Sequence, residues 1–208
     1  MAHISAAERR PQLIKAAIDL MTRKGVAAAS TRAVAAELGV AQMTVHYVFG
    51  SKQELYRAVL EQLSQEVMDG VRKAPAPDAR FEDAVATMAR ALWRNVRKDP
   101  LSHLVVTELS ILALRDPNLR ETITGHFYGM GQVASVLIEE TAERTGQHLA
   151  QSPDAVARFF LAGFDGLTMQ RLSVPDDEAE EVCLNHLIAS TVALATGGSR
   201  SAPSLAGS

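Results

Sequence analysis

The six histidines, at positions 3, 46, 103, 126, 148 and 186, are the side chains best suited to metal or acid–base chemistry. Their neighbours show no HxxxH or ExxH spacing, so the pattern does not predict a metal site. No Gly-rich phosphate loop follows a strand pattern, and no set of side chains forms a catalytic constellation. We therefore expect no catalytic residue, no cofactor and no enzymatic activity.

The charged side chains are unevenly distributed along the 208 residues. Residues 1–57 carry eight Lys and Arg against four Asp and Glu, a net charge of +4. Residues 58–208 carry thirteen against twenty, a net charge of −7. A basic segment attached to an acidic remainder favours contact between that segment and a polyanion such as nucleic acid.

Residues 31–49 have the pattern of a helix-turn-helix. An apolar set at helical spacing faces inward, a small alanine allows two helices to cross, and Gly39 permits a positive φ at the turn. The apolar set is Val34, Ala35, Leu38, Val40, Val45 and Val48. The side chains left pointing outward are Ala41, Gln42, Met43, Thr44, His46 and Tyr47. By spacing alone, a corner that only packs against a bundle is equally compatible with this pattern.

The stretch STRAVAAELGVAQMTVHYVFGSKQELYRAVL resembles the DNA-binding head of the TetR/AcrR family of transcription regulators. The preceding RRPQLIKAAIDLMTRKGVAAAS resembles the first helix of that family and its linking turn. The resemblance covers about residues 9–62, and the C-terminal part resembles the family only in its helical layout. Three positions depart from the family pattern, so the resemblance implies DNA binding but does not predict the operator sequence: Met43, His46 and Val48.

The resemblance implies roles for individual side chains on double-stranded DNA. Base readout falls to Gln42, Met43 and His46, of which Gln42 has the groups to pair bidentately with adenine. Phosphate contacts are expected from Thr31, Arg32, Thr44, Tyr47 and Lys52. We further expect Arg9 and Arg10 to reach the DNA backbone or the minor groove.

The chain as a whole is predicted to be all-α, with about nine helices. Hydrophobic periodicity, caps and Gly or Pro breaks predict helices over residues 9–24, 31–38, 41–48, 51–73, 79–98, 101–115, 117–146, 153–173 and 178–196. Pro11 is placed in a first turn, and Thr31 is interpreted as an N-cap. We predict a helix-turn-helix DNA-binding domain over 1–50, a helical ligand-binding and dimerisation domain over 51–196, and a disordered tail over 197–208.

The last two long helices are predicted to form a homodimer interface. One head reads few bases, whereas two heads on a two-fold axis read a palindromic operator with half-sites about 34 Å apart. The apolar positions of 153–173 and 178–196 would pair as a four-helix interface. Gly163 and Gly166 inside the first of these helices predict a close approach by a partner subunit or a ligand.

A small, largely apolar ligand is expected among the middle helices, as the family resemblance implies. The candidate residues combine an apolar lining with a few polar anchors. They are Trp93, Thr107, Glu108, His126, Phe127, Met130, Phe160, Phe164 and Asp165. We expect this ligand to release or modulate DNA binding through the long helix 51–73, with repression as the output.

Composition narrows the remaining choices. A single cysteine, Cys183, fits a reducing cytoplasm, and no apolar run reaches the length of a membrane span. Two alternatives to the regulator remain: an all-helical ligand carrier, and a protein-interaction adaptor that keeps the helical corner without binding DNA.

Overall fold

The computed structural model describes residues 5–198, which form nine α-helices, one 3₁₀ turn and no strand. The helices are α1 (Ala6–Lys24), α2 (Thr31–Glu37), α3 (Gln42–Phe49), α4 (Lys52–Arg72), α5 (Phe81–Lys98), α6 (Pro100–Ala113), α7 (Pro117–Thr145), α8 (Pro153–Ser173) and α9 (Asp177–Thr196). The 3₁₀ turn covers Val26–Ala28. The predicted all-α class is confirmed. Of the predicted tail, Gly197 and Gly198 follow α9, and 199–208 lie outside the described residues.

Helix α1 begins earlier than its sequence pattern predicted. Ser5 accepts a hydrogen bond from the Glu8 amide at 3.3 Å, and the Glu8 carboxylate accepts one from the Ser5 amide at 2.9 Å. This capping box starts the helix at Ala6, so the placement of Pro11 in the first turn was wrong. Pro11 lies in the helix interior on an exposed face, where the carbonyl it leaves without a backbone donor is not forced into the core.

The chain divides into two compact units, each with its own core. Among the described residues, unit 1 contains 5–69 and 95–129, and unit 2 contains 70–94 and 130–198. Helices α4, α5 and α7 therefore contribute residues to both units. The compact units are defined by packing, and unit 1 holds α6 together with the first three helices. The predicted division at residue 50 separates functions, so it stays a prediction.

The core of unit 1 fixes the helix-turn-helix. Val34 and Val45 are fully buried, and Gly39 has φ +63 at the turn between α2 and α3, as the sequence predicted. Leu38, Val40 and Val48 are half-buried against the same core. The N-cap of α2 is Ser30, whose side chain accepts from the Ala33 amide at 3.1 Å, so the assignment of Thr31 as the cap was wrong.

The core of unit 2 is formed by α5, α7, α8 and α9. Its buried members are Phe81, Val85, Ile138, Ala142, Val156, Ala157 and Ala195. Arg171 near the end of α8 binds Glu180 of α9 at 2.9 Å, and Glu180 also accepts from the Asp176 amide at 3.0 Å. This ion pair, in which Glu180 is buried, links the end of α8 to α9.

The two glycines of α8 have different surroundings, and for Gly166 the predicted approach of a partner subunit or ligand stays a prediction. A Cβ at Gly163 would lie 2.5 Å from Leu187 Cδ1, so the close neighbour is α9 of the same chain rather than a partner subunit or a ligand. A Cβ at Gly166 would meet nothing within 4 Å. Gly163 therefore serves helix–helix packing, while Gly166 faces open space in the single chain.

Candidate nucleic-acid interface and ligand-binding residues

Helix α3 presents an exposed face opposite the side that it buries. Met43 is 73% exposed and Tyr47 is 81% exposed, values far above those expected for large side chains that only pack. Gln42 and His46 are exposed beside them, one helical turn apart. Thr44 is half-buried. Four of the side chains predicted to reach DNA thus share one accessible surface.

Gln42 links the two helices of the motif. Its amide Nε2 donates to Thr31 Oγ1 over 3.1 Å and lies 3.3 Å from His46 Nε2. Thr31 is the first residue of α2 and is only 8% exposed. The structure therefore brings three of the predicted DNA-contacting residues into one hydrogen-bonded set.

The basic side chains of residues 1–57 divide into those paired with acidic residues and those without an acidic partner. Three ion pairs neutralise basic side chains: Lys15–Asp19 at 3.1 Å, Arg23–Glu37 at 3.0 Å and Arg57–Glu54 at 3.2 Å. Within the described part of the chain, five basic residues of this segment have no acidic partner: Arg9, Arg10, Lys24, Arg32 and Lys52. Four of the five were predicted to contact DNA.

Two of these cations are held over aromatic rings at the end of the motif. The Arg10 guanidinium lies 4.8 Å from the centroid of Phe49, the last residue of α3. Lys52 Nζ lies 5.0 Å from the centroid of Tyr56. Such contacts restrict a long cationic side chain without neutralising it. Arg10 and Lys52 therefore remain available to phosphates near the C-terminus of α3.

Four of the predicted ligand-binding residues lie in unit 1, and two of them are engaged by backbone groups. Glu108 of α6 accepts a hydrogen bond from the Val26 amide at 2.7 Å, immediately after α1. Thr107 donates to the His103 carbonyl at 3.0 Å. His126 stacks edge-on against Phe127, and burial lowers the pKa of His126. No sequence pattern predicts the bond between Glu108 and Val26, which are far apart in the chain.

The remaining five lie in unit 2, where three aromatic rings meet. Trp93 and Phe164 make an edge-to-face contact with centroids 5.8 Å apart, and Phe160 lies 5.6 Å from Phe164. Asp165 is exposed, yet desolvation raises the pKa of its carboxyl to about 6. Met130 is half-buried on α7.

Thr168, one turn beyond Phe164, was missed by sequence reasoning. Its Oγ1 is the buried side-chain oxygen that lacks a hydrogen-bond partner among the residues described. Other helical hydroxyls, such as Thr141 and Thr191, donate to the carbonyl four residues earlier. Helical threonines commonly make that bond, so its loss at Thr168 cannot be deduced from sequence.

Other kinds of site find little support in the described residues. No group of three or more His, Cys, Asp or Glu is arranged to hold a metal ion there. Nor does any helix of residues 5–198 combine the length and apolarity needed to cross a membrane.

Two protein families match the chain, one in its N-terminal part and one in its C-terminal part. Residues 13–59 match the tetR family of bacterial regulatory proteins, and residues 76–194 match the tetracyclin repressor-like C-terminal domain. The second match alone spans more than half of the chain.

Individual relatives agree with the family matches. The HTH-type nicotine-responsive transcriptional repressor HdnoR of Paenarthrobacter nicotinovorans is 31% identical over 89% of this chain and 94% of its own length. The crystal structure of the multidrug binding protein EbrR complexed with ethidium superposes with a TM-score of 0.66 at 30% identity, covering 88% of this chain and 98% of EbrR. A crystal structure of a Rhodococcus sp. protein superposes with a TM-score of 0.76 at 19% identity, covering 91% of this chain and 99% of its own, and shows the shared fold.

Proposed function

Because the chain belongs to the TetR family of bacterial regulatory proteins and is a DNA-binding transcription regulator, we propose that it is a dimeric repressor of a palindromic operator, released by a small aromatic ligand. The observation that carries the proposal is the exposed face of α3 next to basic side chains without acidic partners. Met43 and Tyr47 would otherwise be costly to leave in water. In a DNA groove they contact bases and sugar–phosphate.

Each head supplies one recognition helix, so two copies are required for a palindrome. The proposed dimer interface uses the outward faces of α8 and α9. Phe159 is 43% exposed, Met169 44% and Val182 52%, although neighbouring residues of both helices are buried in the protomer. A second copy that covers these faces would form a four-helix interface. The regulator would act in the cytoplasm, where its operator is.

The proposed ligand is a small organic molecule with an aromatic ring and a basic nitrogen. HdnoR is nicotine-responsive, and EbrR was crystallised with ethidium. In this chain Trp93, Phe160 and Phe164 form a ring cluster in which Trp93 and Phe164 are buried and Phe160 is half-buried, so Phe160 is the ring that a ligand would reach first. Asp165 follows Phe164 on α8 and is exposed, so its carboxylate would supply a counter-charge at the surface next to this cluster. An aromatic cation would use both features.

Ligand and operator are coupled in this proposal through helices that carry residues of both units. A ligand that favours one conformation of unit 2 would change the course of α4 and hence the spacing between the two heads. The operator fits one spacing only, so the small molecule weakens operator binding, and the operator weakens binding of the small molecule by the same factor. Glu108 of α6 would transmit part of the change, because it is bonded to the turn that follows α1.

The DNA-binding part of the proposal is tested with Lys52→Ala and Tyr47→Ala. On an operator isolated from random DNA, we expect wild-type affinity to fall steeply with salt. Loss of one phosphate contact per subunit should reduce the salt slope by about two per dimer for Lys52→Ala. Lys15→Ala is the matched control, because it removes the same charge from a residue already paired with Asp19. An adaptor that does not use DNA would show no difference among the three variants.

The ligand-binding part is tested by the emission of Trp93, the single tryptophan of the chain. We expect nicotine or ethidium to change Trp93 fluorescence at saturable concentrations and to release the operator. Phe164→Ala and Asp165→Asn should both weaken this binding, whereas Tyr128→Ala, an exposed aromatic in the other unit, should leave Trp93 quenching intact. Operator release without any change at Trp93 would place the ligand elsewhere.

A further inference from the structure

The hydrogen-bonded set of Thr31, Gln42 and His46 determines which atom of Gln42 is offered to DNA. An amide nitrogen carries two hydrogens, and the amide oxygen carries none. Gln42 Nε2 donates to Thr31 Oγ1 over 3.1 Å and lies 3.3 Å from His46 Nε2. An amide nitrogen cannot accept, so the second contact is a hydrogen bond in the imidazole tautomer that carries its proton on Nδ1 and accepts through Nε2. Gln42 Oε1 is left as the amide atom free for an outside partner.

An acceptor at this position reads bases differently from a free glutamine. Bidentate pairing with adenine needs the amide nitrogen to donate to N7 while the oxygen accepts from N6. With its nitrogen committed to Thr31 and His46, Gln42 can only accept. The major-groove groups that donate are the exocyclic amino groups of adenine N6 and cytosine N4, whereas guanine and thymine present acceptors there.

We propose that Thr31 and His46 are positioning residues that lock Gln42 as a hydrogen-bond acceptor, so that each half-site requires adenine or cytosine at the base Gln42 faces. This inference rests on the proposed DNA-binding function and changes the expectation that Gln42 pairs bidentately with adenine. It also gives Thr31 a second role. Its hydroxyl oxygen accepts from Gln42, and its own hydrogen remains free to donate to a phosphate.

The contact geometry explains why these two residues act together. Gln42 and His46 are one turn apart on α3, so their side chains lie on the same face. Thr31 reaches the same amide from α2, and its burial keeps its oxygen in place. A single acceptor would leave one amide hydrogen free, and Gln42 would then rotate to donate to a base.

The test starts from bound sequences selected out of random duplex DNA with the full chain at mildly alkaline pH. Gln42→Ala identifies the base position that depends on Gln42. There, wild type should bind adenine and cytosine operators within about threefold of each other, and both at least about tenfold more tightly than guanine or thymine operators. Thr31→Val and His46→Ala each remove one acceptor and should favour adenine over cytosine by about tenfold, as a bidentate contact does.

The conservative variants separate positioning from mere folding. Thr31→Ser keeps the hydroxyl acceptor and His46→Gln replaces the ring nitrogen by an amide oxygen acceptor, so both should retain the wild-type ratio of adenine to cytosine. In the DNA-free protein, nuclear magnetic resonance should show one side-chain amide proton of Gln42 shifting upfield in Thr31→Val and the other in His46→Ala. Absence of that shift would show that the contacts do not exist in solution.

The outcomes distinguish this inference from the function on which it rests. Enrichment of no sequence by wild type at any salt would refute the DNA-binding function, and the inference with it. A clear operator with adenine alone at the Gln42 position would refute the inference and leave the function intact. The same holds if Thr31→Val and His46→Ala weaken all four base variants equally, because that behaviour indicates phosphate contacts or folding.

Discussion

The bond between Glu108 and the Val26 amide offers a sharp test of how α6 is attached to the DNA-binding head. The carboxylate accepts from the backbone N–H at 2.7 Å, and Glu108 is half-buried on α6. Val26 begins the 3₁₀ turn, so its amide has no helical acceptor. The Tyr56 hydroxyl reaches the Val26 carbonyl at 3.5 Å, which is too long for a strong contact. Glu108 is therefore the main polar partner of this turn.

Glu108→Ala should destabilise the turn by about 2 kcal/mol, since hydrogen bonds to charged groups contribute about 1.5–3 kcal/mol and the amide loses its partner. That corresponds to roughly a thirtyfold change in the opening equilibrium. Glu108→Gln keeps an oxygen acceptor but loses the charge, and we expect about half of the effect.

Native-state hydrogen exchange at the Val26 amide measures this directly, because exchange reports local opening. We expect protection of that amide to fall roughly thirtyfold in Glu108→Ala and severalfold in Glu108→Gln. Protection at the buried amides of α3 serves as an internal control. Unchanged protection of Val26 in Glu108→Ala would refute the assignment of Glu108 as the acceptor that holds the turn.

Three further predictions concern buried polar groups. Thr168→Val should stabilise the protein by about 1 kcal/mol in chemical denaturation, because it removes a buried hydroxyl that has no hydrogen-bond partner. Thr141→Val, whose hydroxyl donates at 2.6 Å, should not stabilise it, and equal effects would contradict the assignment of Thr168 as unpartnered. Glu180→Ala should lower the free energy of unfolding by about 2 kcal/mol, less than the ~3–5 kcal/mol of a fully buried pair, because Arg171 keeps its ion pair with Asp177. Asp177→Ala should lower it by under ~1 kcal/mol, and similar losses in the two variants would show that burial of Glu180 is unimportant. Burial lowers the pKa of His126, so as pH falls below about 6.5 the unfolded chain takes up a proton before the folded protein does. Wild type should therefore lose stability relative to His126→Asn below that pH, and parallel curves of stability against pH for the two proteins would refute a neutral His126 in the folded protein.

The helices and the DNA-binding motif were predictable because they depend on local patterns. Gly39 allows the turn, and Val34 and Val45 mark the inward faces with helical spacing. The start of α1 was placed too late because the cap, Ser5 with Glu8, lies outside the apolar pattern; α2 begins at Thr31 as predicted, but its cap is Ser30. In both cases the nearest apolar repeat was visible and the capping residue was overlooked.

Contacts between distant residues were not predictable from one sequence. Glu108 on an apolar helix suggested a ligand anchor, yet its partner is a backbone amide in another part of unit 1. Gly163 suggested a partner subunit, yet Leu187 of the same chain approaches it. Spacing identifies the face on which a side chain lies, but it does not identify what the fold brings opposite that face.

The most direct test of the regulator is selection of bound duplexes from a random DNA pool with the purified full-length chain. The account predicts a palindromic consensus whose half-sites are about one helical turn, or about 34 Å, apart and whose binding weakens steeply with salt. Failure to enrich any sequence at any salt concentration would contradict it.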